Sequence, residues 1–189
     1  MVVHDSAATK ARLLAAGYDE FVRLGLAGAR VDRIAAAAQA NKQGIYAYFG
    51  SKEGLFDAVL AERLGVLANV VPFAPADLPG YTGALFDALI ADPGLHRLTL
   101  WKMLERPEAS GPEREAHFAK AGDIAARHGV SMTTAMDALM IALAAAQSWN
   151  LTAPVIRNPA GGDVEERRRE HRATVVTAVA ALTEALLRP

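Results

Sequence analysis

No stretch of four to eight residues in this 189-residue chain alternates apolar and polar side chains strictly, while apolar positions recur at helical spacing almost from end to end. A chain patterned this way has no half-buried strand to offer a sheet, so the expected fold is all-α, with about nine helices separated by Gly and Pro breaks. The residues are 52% apolar and 22% charged, which excludes disordered and collagen-like classes and leaves ample material for a core. The chain has no cysteine. Disulfides, thiolate nucleophiles and cysteine-based zinc sites are thereby excluded, and a reducing compartment suits the composition. The N-terminal stretch lacks the apolar run of a secretory signal, and Ala138 to Ala146, the most apolar segment, is far short of the roughly 18 residues a membrane span needs. A cytoplasmic protein with no membrane partner is expected.

The breaks divide the pattern into segments. Ser6 to Leu24 puts Leu14, Gly17, Tyr18 and Phe21 on one stripe and is ended by Gly25. Val31 to Ala38 is a second, short helix with Ile34 and Ala35 inward, and Asn41 caps a third, Lys42 to Phe49. Ser51 caps a long amphipathic helix from Lys52 to about Val70, and Pro72 to Gly80 reads as a linker. Further helices are expected from Thr82 to Ala91, from Pro93 to before Pro107, from Glu113 to His128, from a Ser131 cap through Asn150, and from Val164 to Arg188. Thr152 to Asp163 reads as an exposed loop.

Two short helices joined by a tight turn at Gln39 and Ala40, and packed on a longer one, have the layout of a helix-turn-helix DNA-binding unit. Its chemistry is in place. Lys42 and Gln43 are long polar side chains at the start of the would-be recognition helix, where they reach base edges in a major groove. Gly44 leaves room for close backbone approach, Tyr46 and Tyr48 carry hydroxyls for phosphates, and Lys52 adds charge beside a helix N-terminus. Charge is distributed accordingly: seven basic against five acidic residues over 1–56 give +2, whereas thirteen against sixteen in the remainder give −3.

The residues Leu14, Phe21, Gly25, Val31, Ile34 and Ala35, followed by the run IYAYFGSKEGLF from Ile45 to Phe56, resemble the N-terminal domain of the tetracycline-repressor (TetR) family of bacterial transcription regulators. The chain departs from that pattern at Arg30, in place of a hydroxyl cap but able to pair with a phosphate; at Gln39, in place of a turn glycine; and at Gly44, in place of a hydroxyl residue. The resemblance implies a DNA-binding head over residues 1–52, with Arg30, Asn41, Lys42, Gln43, Gly44, Tyr46, Tyr48 and Lys52 at the DNA, and a helical ligand-binding and dimerisation domain over 53–189. Expected lining for an effector pocket is Phe86, Trp101, Leu104, Phe118, Met136 and Met140, with Glu105, His117, Gln147 and Asn150 as polar handles. A cavity-facing Glu105 would favour a cationic guest. Leu143 and the stripe Val175, Val179, Leu182 and Leu186, spaced as a bundle seam, are the expected homodimer interface.

The expected activity is that of a repressor released from double-stranded, palindromic operator DNA by a small-molecule effector. The alternatives are a helical ligand-binding protein with a degenerate head and a cofactor-free helical enzyme. Five histidines supply no HExxH pair, and His117 and His128 stand eleven residues, about 16 Å, apart on one helix. With no GxSxG elbow, P-loop or GxGxxG, neither catalytic residues nor a metal or cofactor is expected.

Overall fold

The computed structural model describes residues 3–188, and among them finds ten helices and no strand. They are α1 (Val3–Gly28), α2 (Val31–Ala37), α3 (Lys42–Phe49), α4 (Lys52–Val70), α5 (Leu78–Ala91), α6 (Pro93–Glu105), α7 (Gly111–His128), α8 (Met132–Leu151), α9 (Pro154–Arg157) and α10 (Val164–Leu186). Two boundaries differ from expectation for one reason, proline in a first turn. Pro79 lies inside α5, which begins at Leu78 behind the Asp77 cap, and Pro154 opens the one-turn α9 inside the expected loop. Neither proline has an amide proton, and neither position needs one. α7 likewise starts ahead of its proline, where Ser110 and Glu113 form a reciprocal capping box. No single described helix is long and apolar enough to cross a membrane.

The chain divides into two compact units. One comprises the chain through Leu67 together with Gly94–Glu108; the other comprises Ala68–Pro93 and the chain from Ala109 onward. In the first, Leu13, Phe21, Ile34, Ile45, Leu55, Phe56, Val59 and Leu98 are fully buried, and the Phe21 and Phe56 rings meet edge to face with centroids 5.1 Å apart. Leu13 takes the central place expected of Leu14, which is partly buried beside it.

Gly25 stops the regular turn of α1 with φ 69 and ψ −178, a conformation open to glycine alone. The break frees backbone groups, and α6 collects them: Glu105 accepts from the N–H groups of Leu26 and Ala27, and the Trp101 indole N–H donates to the Val22 carbonyl at 3.3 Å. Arg106 pairs with Asp57 of α4 at 2.6 Å.

His96 is buried in this unit, with neither ring nitrogen meeting a protein partner, and burial pushes its pKa down. Because the folded pKa lies below the unfolded value of about 6.5, the unfolded chain takes the proton first, and stability falls as pH drops below about 6.5. His96→Leu is therefore expected to stabilise the chain by about 1 kcal/mol at neutral pH, or roughly 2–4 °C in Tm, and to flatten the dependence of Tm on pH between about 7 and 5. Thermal melts of both proteins across that range check it.

In the second unit α8 packs on α5, α7 and α10, and α10 packs on α5. Small residues Ala135, Ala138, Ala142 and Ala146 let helices approach α8 closely, and Gly83 does the same on α5, where an added Cβ would stand 3.0 Å from Val176 and Arg172 of α10. The Asp87 carboxylate accepts from Arg172 Nε at 2.7 Å across the same crossing. Val175 and Val179 are buried here, so the seam they form is filled by helices of their own chain and they are withdrawn from any dimer surface. Leu143, Leu182 and Leu186 are half-buried.

Candidate nucleic-acid interface

The head is built from within. Arg30 precedes α2 without capping it; its backbone N–H instead donates to the Glu20 carboxylate at 3.0 Å. Arg33 and Arg23 meet the same carboxylate at 2.7 and 2.9 Å, and Arg12 Nε donates to the Ala38 carbonyl at 3.0 Å, closing the end of α2 onto α1. The turn passes through Gln39 with φ 50, the one described non-glycine residue in the left-handed region, so the strain expected of a glycine substitute is present. Asn41 then caps α3, its side-chain oxygen accepting from Gln43 N–H at 3.0 Å.

On α3 only Ile45 is fully buried. Lys42, Gln43, Tyr46, Ala47 and Tyr48 are exposed, as are Arg30 and Asn41 before them, so the residues expected at DNA share a solvated surface rather than a core. Two have other work. The Lys52 ammonium, half-buried, donates to the Ala29 carbonyl at 3.1 Å and holds α4 against the link between α1 and α2. The Tyr48 hydroxyl bonds Ser6 Oγ at 3.1 Å, joining α3 to the start of α1. At Gly44 an added Cβ would find ordinary contacts at 3.8 Å with Leu13 and Tyr48, so the fold itself does not require glycine there. Sequence reasoning missed Lys10, whose ammonium lies 5.9 Å from the Phe49 ring centroid, and Asp32, which pairs with Lys42 at 2.8 Å. Lys10 stands outside the motif and Asp32 on its first helix, ten residues before Lys42, so only folding brings either to its partner.

The expected effector residues are divided between the two units. Trp101, Leu104 and Glu105 belong to the first unit, and Glu105 caps the broken end of α1 instead of facing a cavity, which removes the argument for a cationic guest. The other seven belong to the second unit. Leu104, Phe118 and Met140 are exposed and Phe86 is core. His117, Gln147 and Asn150 bond the carbonyls of Glu113, Leu143 and Leu89, so each polar handle is engaged, and Met136 is half-buried. One polar and aromatic cluster of that unit joins Phe86 to residues outside that expectation. His171 Nε2 meets Ser148 Oγ at 2.8 Å, with the Trp149 and Phe86 rings 5.5 and 6.1 Å away, and burial followed by the charge of Arg167 holds its pKa down. His171 stands in a charged run that reads as solvated surface, which hides it.

Comparison with known proteins agrees with this geometry. Residues 13–59 match the family described as bacterial regulatory proteins, tetR family, and residues 77–180 match the tetracyclin repressor-like C-terminal domain. The HTH-type transcriptional repressor SCO4008 of Streptomyces coelicolor is 41% identical over 173 residues, covering 86% of this chain and 90% of that protein. Among solved structures, SCO4942 of Streptomyces coelicolor, assigned as a transcriptional regulator, superposes with a TM-score of 0.74 at 35% identity, over 96% of this chain and 99% of that one. A gamma-butyrolactone receptor (ArpA-like protein) shares the fold at 18% identity, with a TM-score of 0.53 over 96% and 98% of the two chains. The chain belongs to the tetR family of helix-turn-helix transcriptional regulators, a family whose members bind operator DNA and small-molecule effectors, act as dimers and are not usually enzymes.

Proposed function

We propose that the protein is a homodimeric repressor that leaves a palindromic operator when a small molecule binds its C-terminal helices. The observation that carries the reading is the solvated opening of α3: Lys42 and Gln43 project from a capped helix whose Ile45 is locked into the head core, so base-reading side chains stand on a rigid platform. A relative 41% identical and named a transcriptional repressor supports the same direction of control. The proposed reading head of residues 1–52 would fall within the compact unit that also holds most of α4 and of α6.

With Val175 and Val179 inside the chain, the partner-facing surface falls to exposed small residues of α10, Thr174, Ala178, Ala181 and Ala185, with Met140 and Ala144 of α8. Two copies paired through these helices place two heads on half-sites one DNA turn, roughly 34 Å, apart. Effector binding favours a state in which that spacing no longer fits. By linkage, operator DNA weakens effector affinity by the same factor.

The test is a gel-shift assay on DNA flanking the protein's own gene. A Gln43→Ala variant is expected to bind that DNA about 10- to 100-fold more weakly while binding mixed-sequence DNA nearly as well as wild type. Wild type that retains no duplex at low ionic strength overturns the proposal.

A further inference from the structure

Asp32 sits in the first turn of α2 and Lys42 at the first position of α3, and their 2.8 Å ion pair spans the two helices of the motif on its solvated side. Both side chains are about half exposed, 57% and 46%, so the pair adds little to the stability of the fold. Each group shifts the other in the direction of charge: the hydrogen bond and charge of Lys42 hold the Asp32 carboxyl below its usual range, and those of Asp32 hold the Lys42 ammonium above its own. Arg30 lies close enough to act on both, strengthening the carboxylate and opposing the ammonium.

A carboxylate here is unhelpful for holding DNA. Sequence-independent binding comes from cations that neutralise phosphates and release counterions, and a lysine already paired with an aspartate on the same surface does this poorly. Reading a base is a different task. A lysine held by a neighbouring carboxylate keeps a defined position from which to donate to guanine O6 and N7, and it loses the freedom to pair with whichever phosphate is nearest.

Resting on the DNA-binding reading above, we infer that Asp32 is a positioning residue that sets sequence discrimination, holding Lys42 for base contact and keeping it from neutralising phosphates on non-operator DNA. Asp32 thus lowers non-specific affinity more than operator affinity, and the ratio of the two rises.

The experiment compares the full-length wild type, Asp32→Asn, Lys42→Ala and the double variant on two duplexes of equal length. One has mixed sequence; the other is selected from a random pool by the wild type. Asp32→Asn is expected to bind the mixed duplex about five- to tenfold more tightly near 0.1 M salt, with a salt slope steeper by about one per head. Its affinity for the selected duplex is expected to change less than twofold. In the Lys42→Ala background the same substitution is expected to gain less than twofold on the mixed duplex. Equal gains in both backgrounds, an unchanged slope, or weaker binding of the mixed duplex by Asp32→Asn overturns the inference. Wild type that selects no duplex at all overturns the DNA-binding reading instead, so the two failures are distinguishable.

Discussion

Gly25→Ala is expected to lower the stability of the chain by about 3–5 kcal/mol. Two independent costs add at this position. The backbone stands at φ 69 and ψ −178, where an L side chain is strained by roughly 1–3 kcal/mol. The new Cβ would also lie 2.8 Å from both Trp101 Cε3 and Glu105 Oε1. The carboxylate can swing aside, but the indole is held by its hydrogen bond to Val22 and cannot yield without losing it. Movement of the carboxylate also uncovers the N–H groups of Leu26 and Ala27, which Glu105 satisfies. At roughly 2–4 °C per kcal/mol for a chain of this length, Tm should fall by about 6–20 °C. Gly65→Ala provides the opposite sign in the same protein. Gly65 lies inside α4 with nothing within 4 Å of an added Cβ, so alanine should stabilise by about 0.5–1 kcal/mol through helix propensity alone. Urea titrations of both variants check the pair, and a Gly25→Ala protein as stable as wild type contradicts the account of the junction.

Gly25 also shows what was legible in the sequence and what was not. Its position at the end of an apolar stripe announces a helix break, because that signal is local. What satisfies the freed N–H groups is not local: Glu105 lies 79 residues from Leu26, and its spacing from Trp101 says that the two share a helix face without saying what the face meets. The 4–3–4 spacing of Val175, Val179, Leu182 and Leu186 has the same limit. It identifies a seam, but a seam can be filled by another chain or by the same one, and burial assigns Val175 and Val179 to the chain itself. The recognition motif was legible because capping, turn and apolar anchors lie within a few residues of one another, so Asn41 and Ile45 appear where the pattern puts them. The register of α1 was harder to read. Leu13, Gly17 and Phe21 share the buried side with Glu20, and a charged residue in that register argues against it until its partners are known.

Those partners make Glu20 the head's second point of large energetic consequence. Its side chain is only 6% exposed and accepts from the Arg30 N–H, Arg33 and Arg23. Burial raises its pKa, but the Arg30 N–H, Arg33 and Arg23 together outweigh burial, and the folded value lies below the ordinary one. Stability from this group is therefore complete above the unfolded pKa of about 4.3 and is lost as pH falls through the folded value. Glu20→Ala is expected to cost about 2–3 kcal/mol at neutral pH, because it strands the Arg30 N–H at the start of α2 and leaves a gap beside Ile34. The guanidinium groups, 65% and 45% exposed, return to water and add little to that cost. Glu20→Gln keeps an acceptor for the N–H and should cost about 1 kcal/mol. Both variants should lose stability less steeply than wild type below about pH 4.3, whereas the loss traced to His96, which begins near pH 6.5, should persist in both. Two acid transitions that respond separately to Glu20→Gln and His96→Leu would locate the first unit's pH sensitivity in these two side chains; a single transition moved equally by either variant would refute that assignment.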